Sequence, residues 1–110
     1  MAAMRHLTPE HAPGEFSIHA AQRDGQCVYY RCAGELDLAT APMLRDALDQ
    51  IDSDVILDFG AVSFLDSSGI AVLVAQQRGL QTRGHTLRLV ALSGIPHRAL
   101  KITGVFDLFT

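Results

Sequence analysis

The densest cluster of chemically useful side chains in this sequence is Asp66-Ser67-Ser68-Gly69, a carboxylate, two hydroxyls and a glycine in a row. Hydroxyls so placed can cap a helix, accept a phosphoryl group, or attack a carbonyl if a base stands beside them. The hydrolase nucleophile elbow reads G-x-S-x-G, whereas the window here is Leu65-Asp66-Ser67-Ser68-Gly69 and lacks the first glycine. A triad also needs a buried, oriented base, and only His85 and His97 lie in the second half of the chain. An enzyme with Ser67 or Ser68 as nucleophile is therefore the disfavoured reading. Capping is the plain one, since Ser is among the best N-caps, worth about 1 kcal/mol over Ala.

The flanking residues say what positions this cluster. Val55-Ile56-Leu57 between Asp54 and Asp58 reads as a buried strand. A loop with apolar anchors Val62, Phe64 and Leu65 follows. Beyond the cluster, Ile70, Leu73, Val74, Gln77 and Leu80 recur at helical spacing. The serines therefore fall where a loop becomes a helix. Backbone N–H groups there lack intrahelical partners, and the helix dipole favours negative charge. A phosphate is well accommodated at such a place.

The rest of the chain supplies a sheet and its cover. Residues 15–21 alternate apolar and polar, Asp24-Gly25 signals a hairpin turn, and Cys27–Gly34 forms the return strand. Glu35 and Asp37 follow in what reads as a solvated turn. Thr40 precedes Ala41-Pro42 as a helix start, with Leu44, Ala47, Leu48 and Ile51 inward and Met43, like Phe64, in the core. Gly79 and Gly84 mark the end of the central helix, and 86–91 is the next strand. A short helix from Ser93-Gly94-Ile95-Pro96 has Ile95, Ala99, Leu100 and Ile102 as its apolar positions. Val105, Phe106, Leu108 and Phe109 then pack on the core. The expected fold is α/β: a mixed β-sheet, with an N-terminal antiparallel hairpin followed by parallel strands, covered by α-helices.

Composition narrows the function classes. The chain has 110 residues, one domain's length, with 48% apolar and 19% charged residues and a net charge of −3. No dense Lys/Arg run marks a nucleic-acid or anionic-membrane surface. No apolar run approaches the roughly 18 residues of a membrane span, and the N-terminus has no secretory h-region, so cytoplasmic residence is expected. Residues 1–13 read as a flexible tail and 14–110 as the domain; His6 and His11 fall in the tail, without ligand spacing around them. Cys27 and Cys32 on one strand would stand roughly 16 Å apart, so both are expected as free thiols. No nucleotide-binding motif is present. Asp58, at a strand end, lacks the further acidic pair that a receiver-type phosphoacceptor uses. No cofactor or metal is expected.

Several pieces together resemble a known family: G-E-L-D at 34–37, V-I-L-D-F at 55–59, F-L-D-S-S-G-I at 64–70, and T-G-V-F-D-L-F at 103–109. In this order, over about residues 15–109, they resemble a STAS domain of the bacterial anti-sigma-factor antagonist type. The resemblance implies a small regulatory binding protein. Its unmodified form would bind an anti-sigma factor that is also a serine/threonine kinase, freeing the sigma factor. That kinase would phosphorylate a serine of D-S-S-G and so break the complex, and a serine phosphatase would restore binding. By position the acceptor is Ser67, with Ser68 the alternative and otherwise the helix cap. Asp66, Ser67, Ser68, Gly69 and Ile70, with Glu35 and Asp37, would form the partner-binding surface. Family members commonly continue past L-F with another strand and helix, where this chain stops at Thr110; a face left bare there could be covered in a homodimer. Within the same family, a non-switching subunit of a lipid-transport or stress-signalling complex is the competing role.

Overall fold

The computed structural model describes residues 15–110, and the tail expected over 1–13, with His6 and His11, lies outside the described residues. Phe16–Asp24 (β1) and Cys27–Leu36 (β2) form the antiparallel hairpin that Asp24-Gly25 announced. Gly25 opens the two-residue turn at φ 60, a backbone state that costs glycine nothing. The strands run further than expected, because Ala21 is taken up as an irregularity between Ala20↔Tyr30 and Gln22↔Tyr29. Helix α1 (Ala41–Asp49) leads to β3 (Asp54–Leu65), α2 (Ser67–Thr82), β4 (Leu87–Val90), α3 (Gly94–Ile102) and a closing 3-10 turn, Phe106–Phe109. Strand order is β1-β2-β3-β4, with β2-β3 and β3-β4 parallel. This is the mixed sheet expected from the sequence.

The largest departure is β3. Residues expected to form a loop, through Val62, Phe64 and Leu65, continue the strand for a total of 12 residues. Two irregularities against β2 absorb the extra residues, and pairing resumes at Glu35↔Phe64 and Leu36↔Leu65. Gly60 and Ser63 therefore bend the strand without ending it.

Alternate residues of all four strands meet one core: Phe16, Cys32, Val55, Leu57, Phe59, Leu87 and Leu89. Leu44 and Leu48 of α1, Leu73 and Leu80 of α2, Leu100 of α3 and Phe109 close over them, each with no measurable exposure. Burying each such side chain contributes roughly 1.5–3 kcal/mol. The opposite side of the sheet carries Tyr29, Arg31, Ile56, Asp58 and Arg88, all half-buried or exposed.

Five residues read as core are not. Met43 and Phe64 are exposed, as are Ile95, Ile102 and Leu108. On α1 the buried stripe is Ala41, Leu44 and Leu48, and Met43 lies about 100° around the helix from Leu44. On α3 the stripe is Pro96 and Leu100, which turns both isoleucines outward. The proline itself is the inward residue there. Both cysteines are free, Cys27 half-buried and Cys32 buried, as their spacing required. Burial, with a smaller contribution from Asp58, pushes the Cys32 thiol up to about 12.

Candidate functional site at the carboxyl ends of the parallel strands

Asp66 starts the site. Its backbone is still extended (φ −109, ψ −174), and its carboxylate turns back onto the first turn of α2. Oδ1 accepts from the Ser68 N–H at 2.9 Å and the Gly69 N–H at 3.1 Å. The Ile70 N–H closes the first backbone bond onto the Asp66 carbonyl at 3.0 Å. Asp66 is thus the cap, and the capping role expected of Ser68 is corrected. The reason is geometric: Ser68 is already the second helical residue, and a cap must precede the helix. Ser67 occupies the first helical position and is exposed, while Ser68 is half-buried.

This cap changes the chemistry open to the helix end. The Ser68 and Gly69 amides are held by a carboxylate of the chain itself, so two of the donors that the sequence offered to a phosphate are already engaged.

Gly69 fixes how closely α2 approaches the sheet. A Cβ there would stand 2.7 Å from Leu65 Cδ1 and 2.8 Å from Leu36 Cγ, both residues buried. The helix therefore touches down on the last residues of β2 and β3. Gly69 is buried and Ile70 packs against the core, so both hold the helix start in place from beneath.

The same contact brings in the Glu35–Asp37 segment. The Asp66 N–H donates to the Leu36 carbonyl at 3.2 Å, tying the end of β2 to the start of α2. Just before it, Gly34 takes φ 102 beside the Glu15 backbone, which leaves no room for a side chain. Asp37, read as part of a solvated turn, organises the loop into α1: its Oδ1 accepts from the Ala39 and Thr40 N–H groups at 3.0 and 3.1 Å. Thr40 stands at the N-cap of α1 as expected, but its side chain makes no capping bond. The buried hydroxyl instead donates to the Glu35 carbonyl at 2.7 Å and accepts from the Asp37 N–H at 2.9 Å. Glu35, Asp37 and the 66–70 turn thus converge at one end of the sheet. Ser67 is the outermost hydroxyl of that group. Neither segment that builds this end, 33–44 or 59–77, contains a Lys, Arg or His, so its formal charges are all carboxylates.

His85, His97 and Asp58 have partners of their own. His85 sits between Asp52 and Asp54, at 3.2 and 3.7 Å, and His97 packs edge-on against Phe106. Among the described residues no hydrogen bond joins a histidine to Ser67 or Ser68. Asp58 accepts from the Gly60 N–H and from the Tyr29 hydroxyl, whose own pKa that bond raises. Among the described residues no group of three or more His, Cys, Asp or Glu is placed to hold a metal ion. No helix among them is long and apolar enough to cross a membrane. Sequence reasoning missed three exposed apolar residues around this end: Leu38, Met43 and Phe64. Nothing in their spacing marked them as exposed.

Comparison with known proteins places this arrangement. The anti-sigma-B factor antagonist of Listeria monocytogenes is 35% identical over 96 residues, covering 84% of each chain. An anti-sigma factor antagonist from Mycobacterium paratuberculosis has a solved structure with TM-score 0.79 and 26% identity, covering 90% of this chain and 86% of that one. The Bacillus cell fate determinant SpoIIAA, solved in its phosphorylated form, has TM-score 0.66 at 22% identity, covering 87% and 89%. The STAS domain family model matches residues 18–110. With that match and the identity to the Listeria protein, this chain belongs to the STAS domain family.

Proposed function

We propose that this chain is an anti-sigma-factor antagonist switched by phosphorylation of Ser67. In its unmodified form it binds an anti-sigma factor with serine kinase activity, and the sigma factor is released. Phosphorylation by that kinase breaks the complex, and a serine phosphatase restores it. The observation that carries this reading is the exposed Ser67 hydroxyl, held at the first position of α2 by the Asp66 cap. The Listeria relative is an anti-sigma-B factor antagonist, and SpoIIAA is a protein of this fold that exists in a phosphorylated form.

The physics of the switch follows from the occupied helix end. A phosphoserine brings about −1.5 to −2 charge units near neutral pH. With the Ser68 and Gly69 amides already bonded to Asp66, the new group projects outward beside a carboxylate. Charges about 6 Å apart repel by roughly 3 kcal/mol per unit pair at an effective dielectric of about 20, against less than about 1 kcal/mol in water. Docking a partner over Ser67 therefore adds roughly 3–4 kcal/mol of repulsion, a hundredfold or greater loss of affinity. No refolding is needed, because the cap and the Gly69 contact both remain.

Incubation with ATP and the anti-sigma kinase of the source organism, followed by mass spectrometry of wild type and Ser67→Ala, tests this. One phosphate is expected on wild type and none on the variant. Phosphate persisting on Ser67→Ala moves the acceptor to Ser68. No transfer from any such kinase sinks the switch and favours a non-switching STAS subunit.

A further inference from the structure

We infer that Leu38, Met43 and Phe64 are the apolar anchors through which this end of the domain grips its partner; the inference rests on the antagonist reading above. Leu38 is 77% exposed, Met43 47% and Phe64 39%, high values for large apolar side chains in so small a domain. They belong to three different elements that end at the same place. Leu38 lies in the loop leaving β2, two residues past its last strand residue. Met43 is in the first turn of α1, its N–H bonded to the Thr40 carbonyl at 2.9 Å, and Thr40 is bound in turn to Glu35. Phe64 is paired with Glu35 across β2 and β3, two residues before Asp66.

The three residues therefore stand at the same end of the sheet as the Ser67 turn, one in the loop, one in the helix layer and one on the strand. Folding does not require them there. The core closes with Leu36, two residues before Leu38, and with Leu44 and Leu65, the residues after Met43 and Phe64, all buried. Truncating buried apolar anchors at an interface typically loses far more affinity than truncating the surrounding rim.

The charge around these anchors specifies the partner's surface. Glu35, Asp37 and Asp66 lie among them, and the segments 33–44 and 59–77 contribute no cation. The complementary surface is an apolar patch bordered by Lys or Arg, presented by the anti-sigma kinase next to its phosphoryl donor. The remaining exposed large apolar residues, Ile95, Ile102 and Leu108, belong to α3 and the closing turn. Those elements carry two cations, Arg98 and Lys101, against one carboxylate, Asp107, with Lys101 over the Phe106 ring at 4.6 Å. That second patch has the wrong charge for the same partner surface, and it serves as an internal control.

The test is calorimetric titration of the unmodified full chain into the anti-sigma kinase of the source organism, loaded with ADP. Leu38→Ser and Met43→Gln are each expected to weaken binding about tenfold and the double variant about fiftyfold or more. Ile102→Ser is expected to stay within twofold of wild type, and all variants should melt with the wild type because the replaced side chains are exposed. Phe64→Ser, on the strand, is read with its melting curve beside it. Binding of wild type with the Leu38 and Met43 variants unchanged overturns the anchors and leaves the antagonist reading standing. Loss of binding in Ile102→Ser equal to that of Leu38→Ser overturns the assignment of the docking end. Failure of wild type to bind any such kinase removes the antagonist reading, and the anchors with it.

Discussion

Replacing Gly69 and Gly79 by alanine, one at a time, should change stability in opposite directions, although both lie on α2. Intrinsic helix propensity favours alanine at either position by up to about 1 kcal/mol. At Gly79 nothing opposes that gain, since the new methyl meets only Arg83 Nη1 at 4.0 Å. Gly79→Ala should therefore stabilise by about 0.5–1 kcal/mol. At Gly69 the methyl falls 2.7 Å from Leu65 Cδ1 and 2.8 and 3.0 Å from Leu36 Cγ and Cδ2. Leu36 has no exposure and Leu65 only 3%, so neither has free space to retreat into. Overpacking of this kind costs typically 1–3 kcal/mol, which, less the helix gain, leaves a net loss of up to about 2 kcal/mol at Gly69. For a domain of this size that corresponds to a melting temperature lower by up to about 9 °C. Calorimetric or circular-dichroism melts measure both variants, and amide chemical shifts report where the strain goes. The expected shifts lie at the ends of β2 and β3 and the start of α2, which would also move Ser67 relative to Glu35 and Asp37. A Gly69→Ala protein as stable as Gly79→Ala would refute the reasoning that α2 is seated through this glycine.

Two further outcomes follow from the same contacts. Asp66→Ala should cost about 1 kcal/mol through loss of the cap, while Asp66→Asn, still an acceptor for the Ser68 and Gly69 amides, should keep most of that stability in a urea melt. Equal losses in the two variants would mean that charge rather than the cap holds the helix start. Cys27, half-buried, should react with a thiol reagent at pH 8 in the native protein, while Cys32 reacts only on unfolding. Because the folded Cys32 thiol is held up at about 12, the unfolded chain releases its proton first as pH rises. The native state then binds more protons than the unfolded one, so stability should fall above about pH 9, at up to about 1.4 kcal/mol per unit. Between about pH 9 and 10 Cys32→Ala should remove that slope, before Tyr29 and Tyr30, whose hydroxyls are also held up, add their own; a slope unchanged there in the variant would contradict the assignment.

The hairpin was legible because Asp24-Gly25 and the flanking alternation demand it locally, and Ala41-Pro42 marks the start of α1 for a similar reason. The far half of β3 was not legible. Its strand character comes from pairing with β2 at Gly34↔Val62 and Leu36↔Leu65, a tertiary fact, while Gly60 and Ser63 interrupt the local pattern. The cap was misplaced for a related reason. Asp66, Ser67 and Ser68 are all good capping residues, and only the point where α2 lands on Leu36 and Leu65 chooses among them. Met43, Phe64, Ile95, Ile102 and Leu108 look like core because apolar type alone does not distinguish burial from exposure. On helices as short as α1 and α3, one stripe of two or three residues satisfies the core, and the remaining apolar residues face outward. Those misread residues include two of the proposed docking anchors. The cluster 66–69, by contrast, was visible from residue types alone.

Phosphoserine placed at position 67 during translation gives a homogeneous switched protein without need of the kinase. Its affinity for the ADP-loaded anti-sigma kinase, measured beside that of the unmodified chain and with amide spectra of both, bears on the switch itself. The expected result is binding weakened a hundredfold or more, with spectral changes confined to the neighbourhood of Asp66–Ile70 and the Glu35–Asp37 loop. Equal affinity of the two forms, or a loss accompanied by rearrangement across the sheet, would contradict a switch that works by local charge on an unchanged fold.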